Sequence, residues 1–240
     1  MKTLVVLPSY NESENIVNLI ADIFKLYQDI NVCVVDDNSP DKTYELVQKY
    51  KDTLTNSNRL HLILRKKKDG RGGAVRDGIF WGIGNGYDCF IEMDCDFSHH
   101  PDSIAKGISL LKEYDVVLGS RYPDGEIIGW PLKRRIFSFF ANLIARFLIS
   151  WKISDYTNGF RFYNLKAAKV IVQNPQVHKG YIFLSETLSY FLKNKLRVAC
   201  FPIRFVNRVR GESNTSFKEI GNALLGIFQI AWSHHFGKKP

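Results

Sequence analysis

The sequence predicts an α/β protein with a Rossmann-like, mostly parallel sheet flanked by helices. Three observations carry this. In the first half of the chain short β-branched runs alternate with helix-like stretches, the order that strand–helix–strand crossovers require. Each run is almost wholly apolar, as a strand buried on both faces must be. Polar clusters follow the runs directly, beyond the C-terminal strand ends, which is where such sheets bind their ligands.

Taken in order, the expected strands are 4–7, 32–35, 60–64, 89–93 and 116–118. Ser13 is expected to cap a helix running to about Lys25, and Asp41 to open one running to about Lys51. The glycines at 70–73 lead into a third helix, and Pro101-Asp102 starts a fourth. The polar clusters are Pro8 to Glu12, Asp36 to Asp41, Asp94 to His99, and Ser120-Arg121-Tyr122. After about residue 125 the texture turns to long aromatic-rich apolar stretches punctuated by Arg and Lys. From Ile136 to Trp151 the polar residues Ser138, Asn142, Arg146 and Ser150 recur every fourth position, so most of a helix circumference is apolar. A similar stretch runs from Ile220 to Phe236, with Lys238-Lys239 after it. Neither offers the roughly 20 uninterrupted apolar residues that a membrane span needs. Two readings stand side by side: buried core helices, or helices lying in a membrane interface with Lys133, Arg134 and Arg135 on lipid phosphates.

The chain has 240 residues, 45% hydrophobic and 13% aromatic, which excludes a disordered chain. Cys33, Cys89, Cys95 and Cys200 form no C-x-x-C pair and no zinc spacing, and read as reduced thiols. The apolar run after Met1-Lys2-Thr3 is too short for a signal peptide, so a cytoplasmic location is expected. A formal charge of +9 favours anionic partners: phosphates, nucleic acid or an anionic membrane surface. Nucleic acid is the weakest of these, because the aromatics sit in apolar stretches and the acids at strand ends, with no basic and aromatic residues interleaved.

Asp94-Cys95-Asp96 ends an apolar run, and residues two apart on a strand point the same way. Two hard oxygen ligands suit Mg²⁺ or Mn²⁺ on a diphosphate; the plainer reading is a solvated strand end. Asp36-Asp37 closes a second buried run, so four acids gather at one edge of a basic protein and call for a cation or hydroxyl donors. The run Arg65-Lys66-Lys67-Lys68-Asp69-Gly70-Arg71-Gly72-Gly73 passes into glycines at a helix start, where backbone amides can hold phosphate oxygens. It is neither a Walker A loop nor G-x-G-x-x-G, and by itself reads as a solvated basic loop. Beside the acidic cluster it suggests a nucleotide diphosphate held with Lys68 and Arg71. Arg121, Arg134, Arg135, Arg204, Arg208 and Arg210 supply forks for phosphate, several of which must be plain surface charges. The segment from Asp155 to Arg161 reads as a turn entering a strand, with Asp155 and Asn158 offering partners for sugar hydroxyls. His99 and His100 diverge on any regular structure and do not suit one shared metal.

Together these motifs resemble the inverting family 2 glycosyltransferases of GT-A fold, and within them the dolichyl-phosphate or polyprenyl-phosphate mannosyltransferase and glucosyltransferase group. The matching residues run from Pro8-Ser9-Tyr10-Asn11-Glu12 and 34–43 through 93–101 and Gly119-Ser120-Arg121-Tyr122. They continue in 130–134, 138–142, 155–161, 180–183 with Glu186, and 202–211, covering about residues 3–220. The resemblance implies that Pro8, Tyr10, Glu12 and Asp37 hold the nucleoside. It implies that Asp94, Asp96 and Ser98 carry Mg²⁺ or Mn²⁺ with the diphosphate, and that Arg121, Arg134 and Arg208 grip the acceptor phosphate. Ser138, Asp155, Asn158, Glu186 and Arg210 are then acceptor or sugar contacts. The sequence departs from the usual G-L-G-x-A at Gly70-Arg71-Gly72-Gly73-Ala74, and has Gly211-Glu212-Ser213-Asn214 in place of Gly-x-Ser-Lys.

The expected organisation is a GT-A catalytic domain over 1–215, including an amphipathic helix at 133–151, and a membrane-proximal amphipathic helix over 216–240. The expected reaction moves a hexose, foremost mannose, from GDP-mannose or UDP-glucose to polyprenyl phosphate. It would run at the cytosolic face of a membrane that the protein touches peripherally. The alternative is a family 2 transfer to a hydroxyl of a glycan or lipid, which needs a general base such as Asp96 or Asp155.

Overall fold

The computed structural model describes residues 1–178, 180, 182–207 and 217–236. The five expected runs are all strands: β1 (Thr3–Ser9), β2 (Asn31–Asp36), β3 (Leu60–Leu64), β4 (Cys89–Glu92) and β5 (Val116–Ser120). The first four lie parallel in the order β3-β2-β1-β4. Crossovers run through α1 (Ile16–Leu26), α2 (Thr43–Thr53) and α3 (Arg71–Gly84). Strand order reverses at β1, which pairs with β2 on one side and β4 on the other, so the C-terminal end of β1 marks the switch point.

β5 does not continue this ladder. An antiparallel strand, β7 (Arg161–Asn164), separates it from β4, and β8 (Val198–Pro202) closes the far edge in parallel with β5. β6 (Glu126–Ile128) and β9 (Arg204–Val206) form a separate pair. The other helices are α4 (Ile104–Leu110), preceded by a short turn over Pro101–Ser103, α5 (Leu132–Leu148), α6 (Leu165–Gln173), α7 (Ile182–Lys193) and α8 (Phe217–Phe236). The mixed sheet is therefore mostly parallel, with helices packed on it, as the sequence predicts.

Local chemistry explains the element starts, and corrects one of them. α1 begins at Ile16, after Asn15 and with no side-chain cap; Ser13 lies two residues before that cap position, its amide donating to Asp41 at 3.1 Å. Asp41 does open α2, accepting the Thr43 amide at 3.0 Å and its hydroxyl at 2.6 Å. α3 lies close to the sheet because it carries glycines on its inner side. A Cβ at Gly78 would stand 2.5 Å from Val6 Cγ1 and 3.0 Å from Val35 Cγ2, and one at Gly82 would meet Phe90 and Leu4.

α5 is built inside out. Its polar stripe, Ser138 and Asn142 with Ala141 and Ala145, is buried, while Ile136, Phe139, Phe140 and Phe147 face outward, the last 74% exposed. α8 packs on α7 and α5 through Ile227, Ile230 and Ala231, and exposes Leu225, Phe228, Trp232 and Phe236. Of the two readings of these stretches, a simple core helix does not describe either. Among the described residues no helix is long and apolar enough to cross a membrane.

The close seat of α3 gives a direct test. Gly78→Ala forces a methyl against Val6, and we expect a loss of about 1–3 kcal/mol in urea unfolding, despite the better helix propensity of alanine. Unchanged or increased stability would show that the helix can lift off the sheet at no cost.

Candidate active site

The site is assembled along the C-terminal edge of β2, β1, β4 and β5. On its β2 side, Asp36 accepts the hydroxyls of Ser9 at 2.8 Å and Ser39 at 2.7 Å, and the Ser39 amide at 2.7 Å. Asp37 is buried and takes the Arg65 guanidinium, with the amides of Asp69 and Gly70 at 3.2 and 3.0 Å. The basic run thus folds back onto Asp37, and two of the amides expected to hold phosphate are spent there. Lys68 Nζ stands 3.6 Å from the centroid of the Tyr10 ring. The Pro8 carbonyl accepts Cys95 Sγ at 3.3 Å, and the Glu12 carboxylate accepts Asn15 Nδ2 at 3.3 Å. Complete burial pushes the Cys95 thiol well above its ordinary pKa, so this cysteine between two aspartates is no nucleophile.

Asp94 and Asp96 follow β4 but are not on it. The strand ends at Glu92, the chain bends through 95–98, and Phe97 sits at φ +60°. Strand alternation therefore does not aim the two aspartates; Asp96 is oriented by an Asx turn, its Oδ1 accepting the Ser98 amide at 3.0 Å. The pair that one residue spans is Glu92 and Asp94. Arg71, the first residue of α3, donates Nε to Asp94 Oδ1 at 2.9 Å, with Nη2 in an ion pair 2.8 Å from the same oxygen, and donates Nη1 to Glu92 and Nη2 to the Gly159 carbonyl at 3.2 Å. Glu92 is buried and also accepts the Tyr163 hydroxyl at 2.5 Å. Its only signal in the sequence is the two-residue spacing from Asp94.

The gathered acids are thus answered largely from within the chain, Asp36 by hydroxyls, Asp37 by Arg65 and Asp94 by Arg71. One group fits a metal specifically. The Ser98 hydroxyl is buried with no hydrogen-bond partner among the described residues, beside the Asp96 carboxylate whose turn it shares. Two carboxylates and one hydroxyl are hard oxygen donors suited to Mg²⁺ or Mn²⁺, provided that other oxygens complete the shell. Among the described residues no group of three or more His, Cys, Asp or Glu could hold a metal alone.

Across the site Arg121 follows β5. It is buried, and its Nε and Nη2 grip Asp155 at 2.7 and 2.9 Å while Nη2 also reaches Thr157 Oγ1 at 2.6 Å. Asp155, fully buried, further accepts the amides of Arg121 and Thr157, both at 3.1 Å. Burial alone would raise the Asp155 carboxyl, but the Arg121 guanidinium and these amides outweigh it and hold it below the ordinary carboxylate value. Trp130 lies between two arginines, its ring centroid 5.2 Å from Arg121 Cζ and 4.0 Å from Arg134 Cζ. Arg121, Tyr122, Ile127, Ile136, Phe139 and Phe140 line an open cleft of about 490 Å³. Trp130 and Tyr122 frame this side; both lie in motifs matched in the sequence, though neither is named there as a binding residue.

The other expected contacts are placed as follows. Asn158 is buried, accepting His99 Nε2–H at 2.7 Å and donating Nδ2 to the Gly119 carbonyl at 2.7 Å, while His99 Nδ1 accepts the Asp94 amide at 3.3 Å. Asn158 therefore ties the end of β5 to the Asp94 loop. Ser138 lies on the buried side of α5, and its carbonyl accepts Asn142 Nδ2 at 2.9 Å. Glu186 is buried on α7, where it accepts the amides of Val177 and His178 and the Tyr190 hydroxyl at 3.0–3.2 Å. Arg208 and Arg210 lie outside the described residues.

Residues 4–172 match the family model described as glycosyl transferase family 2. The chain belongs to this family. It is a glycosyltransferase, and its relatives cover nearly its whole length. It is 32% identical over 229 residues to undecaprenyl-phosphate mannosyltransferase of Micrococcus luteus, covering 95% of this chain and 93% of the relative. It is 33% identical over 228 residues to polyprenol monophosphomannose synthase of Mycolicibacterium smegmatis, covering 94% and 85%. Among solved structures, glucosyl-3-phosphoglycerate synthase from Mycobacterium tuberculosis, in complex with Mn²⁺, UDP and glucosyl-3-phosphoglycerate, superposes with a TM-score of 0.69 at 17% identity. That alignment covers 97% of this chain and 79% of the other, and it speaks for the shared fold.

The Arg121–Asp155 pair yields a prediction for the glycosyltransferase. Asp155→Ala strands a buried guanidinium, and we expect about 3–5 kcal/mol of lost stability in chemical denaturation. Because the folded pKa of Asp155 is depressed, the pair's contribution is present above the unfolded value of about 3.9 and is lost as pH falls through the lower folded value. In the wild type, stability should therefore fall on acidification below about pH 4. In the variant that part of the pH dependence should be absent.

Proposed function

We propose that this glycosyltransferase moves mannose from GDP-mannose to polyprenyl phosphate. The observation that carries the proposal is the cleft beside Arg121. It opens onto the outward apolar side of α5, so one molecule with an anionic head and a long apolar tail satisfies both ends. Both curated relatives, named for undecaprenyl-phosphate and polyprenol monophosphate mannose transfer, support the same substrate class.

The chemistry asks little of a general base. The second pKa of a phosphate monoester is about 6, so the acceptor is an anion at pH 7. Its oxygen forms the new bond to the anomeric carbon while the bond from that carbon to the diphosphate breaks, with inversion, and the nucleoside diphosphate leaves. Pro8, Tyr10, Glu12, Asp37, Lys68 and Arg71 hold the donor. Asp94, Asp96 and Ser98 would hold Mg²⁺ or Mn²⁺, which when bound stabilises charge on the departing diphosphate. Arg121 and Arg134 align the acceptor phosphate, with Arg208 and Arg210 next in the sequence to assist. Asp155 and Asn158 act on the site by fixing Arg121 and the Asp94 loop, and Ser138 and Glu186 line the surroundings from α5 and α7. Transfer to a hydroxyl would need a base, and Asp155, saturated and depressed by Arg121, is poorly suited to that task.

A polyprenyl tail lies in a bilayer, so the outward aromatics of α5 and α8 would rest in the interface on the cytosolic face. Each buried aromatic side chain contributes about 1.5–3 kcal/mol to such partitioning. The triple change Phe139→Ser, Phe140→Ser, Phe147→Ser should therefore reduce sedimentation with anionic phospholipid vesicles by at least about tenfold, without change in melting temperature. Retained vesicle binding would remove α5 from this role.

Turnover gives the direct test. Radiolabelled GDP-mannose with polyprenyl phosphate should yield an acid-labile, solvent-extractable lipid, whereas UDP-glucose should not. Asp96→Ala should lower kcat by about 10²–10³-fold with little effect on folding. Product formed only with hydroxyl acceptors would reject the proposal.

A further inference from the structure

Arg71 opens α3 beside the Asp94 loop, and its partners set it apart from the other cations of the site. The side chain is 11% exposed, and its fork bridges two carboxylates at once, Asp94 through Nε and Nη2 and Glu92 through Nη1. It is also braced by the Gly159 carbonyl, and a Cβ at Gly159 would collide with the guanidinium, so the pocket is shaped around the arginine. Both nitrogens facing Asp94 fall on one oxygen, Oδ1; the other, Oδ2, lies 3.9 Å from His99 Nδ1.

A divalent ion on Asp94 would sit about 2.1 Å from a carboxylate oxygen and so within a few ångströms of this guanidinium. Two cations in a largely buried pocket repel strongly unless further negative charge joins them. Asp96 adds one negative charge and Glu92 answers Arg71, which only balances the two cations, and among the described residues no group of three or more His, Cys, Asp or Glu exists to hold the ion without outside oxygens. A diphosphate supplies both the missing oxygens and the surplus negative charge.

We propose that Arg71 is a built-in competitor for the cation, which holds Asp94 in the nucleotide-free enzyme and makes divalent-ion loading conditional on a bound nucleoside diphosphate. The inference rests on the reading of Asp94 and Asp96 as metal ligands given above. Free metal then binds weakly, and nucleotide and metal bind as a cooperative pair. By linkage the factor is mutual: whatever the nucleotide does for the ion, the ion does for the nucleotide. A bidentate guanidinium can play this part, whereas the point charge of a lysine cannot span both carboxylates.

The test is a titration of Mn²⁺, read by electron paramagnetic resonance of the free ion, with and without GDP or UDP. It compares the full chain with the double variant Arg71→Met, Glu92→Gln. The glutamine keeps an acceptor for the Tyr163 hydroxyl and removes the charge that the arginine had answered. For the wild type, one of the two nucleotides should tighten Mn²⁺ at least about tenfold. The double variant should bind Mn²⁺ without nucleotide about tenfold more tightly than the wild type and gain less than about threefold from nucleotide. Adding Asp94→Asn to it should abolish that gain. Arg71→Lys should fall between, and decides the matter if the double variant does not fold. Nucleotide-free affinity equal to the wild type in these variants, with nucleotide coupling intact, overturns the inference and leaves the metal site standing. No Mn²⁺ binding to any form with either nucleotide overturns both.

Discussion

The buried ion pair between Arg121 and Asp155 is the constraint on which the β5 side of the site depends. It is made by residues 34 apart in sequence, one at the end of β5 and one in the loop before β7. Thr157, held by the same guanidinium, is met by Asn142 Nδ2 at 3.3 Å, and Asn142 Oδ1 takes the Tyr156 amide at 2.6 Å. One chain of hydrogen bonds thus ties the strand end, the loop and α5 together. Desolvating this pair is costly, and the cost is offset because both Asp155 oxygens and the Arg121 Nε and Nη2 groups are hydrogen-bonded. The arginine is consequently preorganised, its guanidinium held in one geometry by its partners.

A second constraint acts from below. Arg161, fully buried at the start of β7, donates only to neutral acceptors, the carbonyls of Asn158, Leu184 and Tyr156 and the Thr187 hydroxyl, at 2.7–3.2 Å. It pins the loop that carries Asp155 and Asn158 to α7. Inserting β7 antiparallel between β4 and β5 is what brings that loop to the same edge as Asp94. The Asp94 loop and the Asp155 loop meet through His99, which stacks on Phe160 with centroids 5.2 Å apart and bonds both Asn158 and the Asp94 amide.

The charge pattern follows from these two frames. A reaction between two phosphate-bearing molecules must overcome their mutual repulsion, and the chain keeps its cations on both flanks, Arg65, Lys68 and Arg71 on one and Arg121 and Arg134 on the other. Most are already engaged by carboxylates or aromatic rings. Such engagement shapes them and lowers the penalty of holding like charges together. α5 has the converse design, spending its few polar side chains inward on this network and leaving its aromatics outside, a pattern that fits a helix meeting an apolar phase.

The sequence by itself determined the parallel β1 to β5 framework, α2 to α4 and the two apolar helices, because apolar runs, turn residues and helix starts are local signals. It also determined the site motifs, since Asp37, Asp94, Asp96 and Arg121 follow strand ends that the pattern of hydrophobicity marks directly. Tertiary structure alone decided the antiparallel place of the four-residue β7, the contacts that bring Glu92 and Arg71 onto Asp94, and the pairing of Arg121 with Asp155. It alone turned the polar stripe of α5 inward. The reason is physical: strand order, which of several arginines is buried, and which face of a helix is covered depend on desolvation and partners contributed by distant segments, and no local periodicity encodes those.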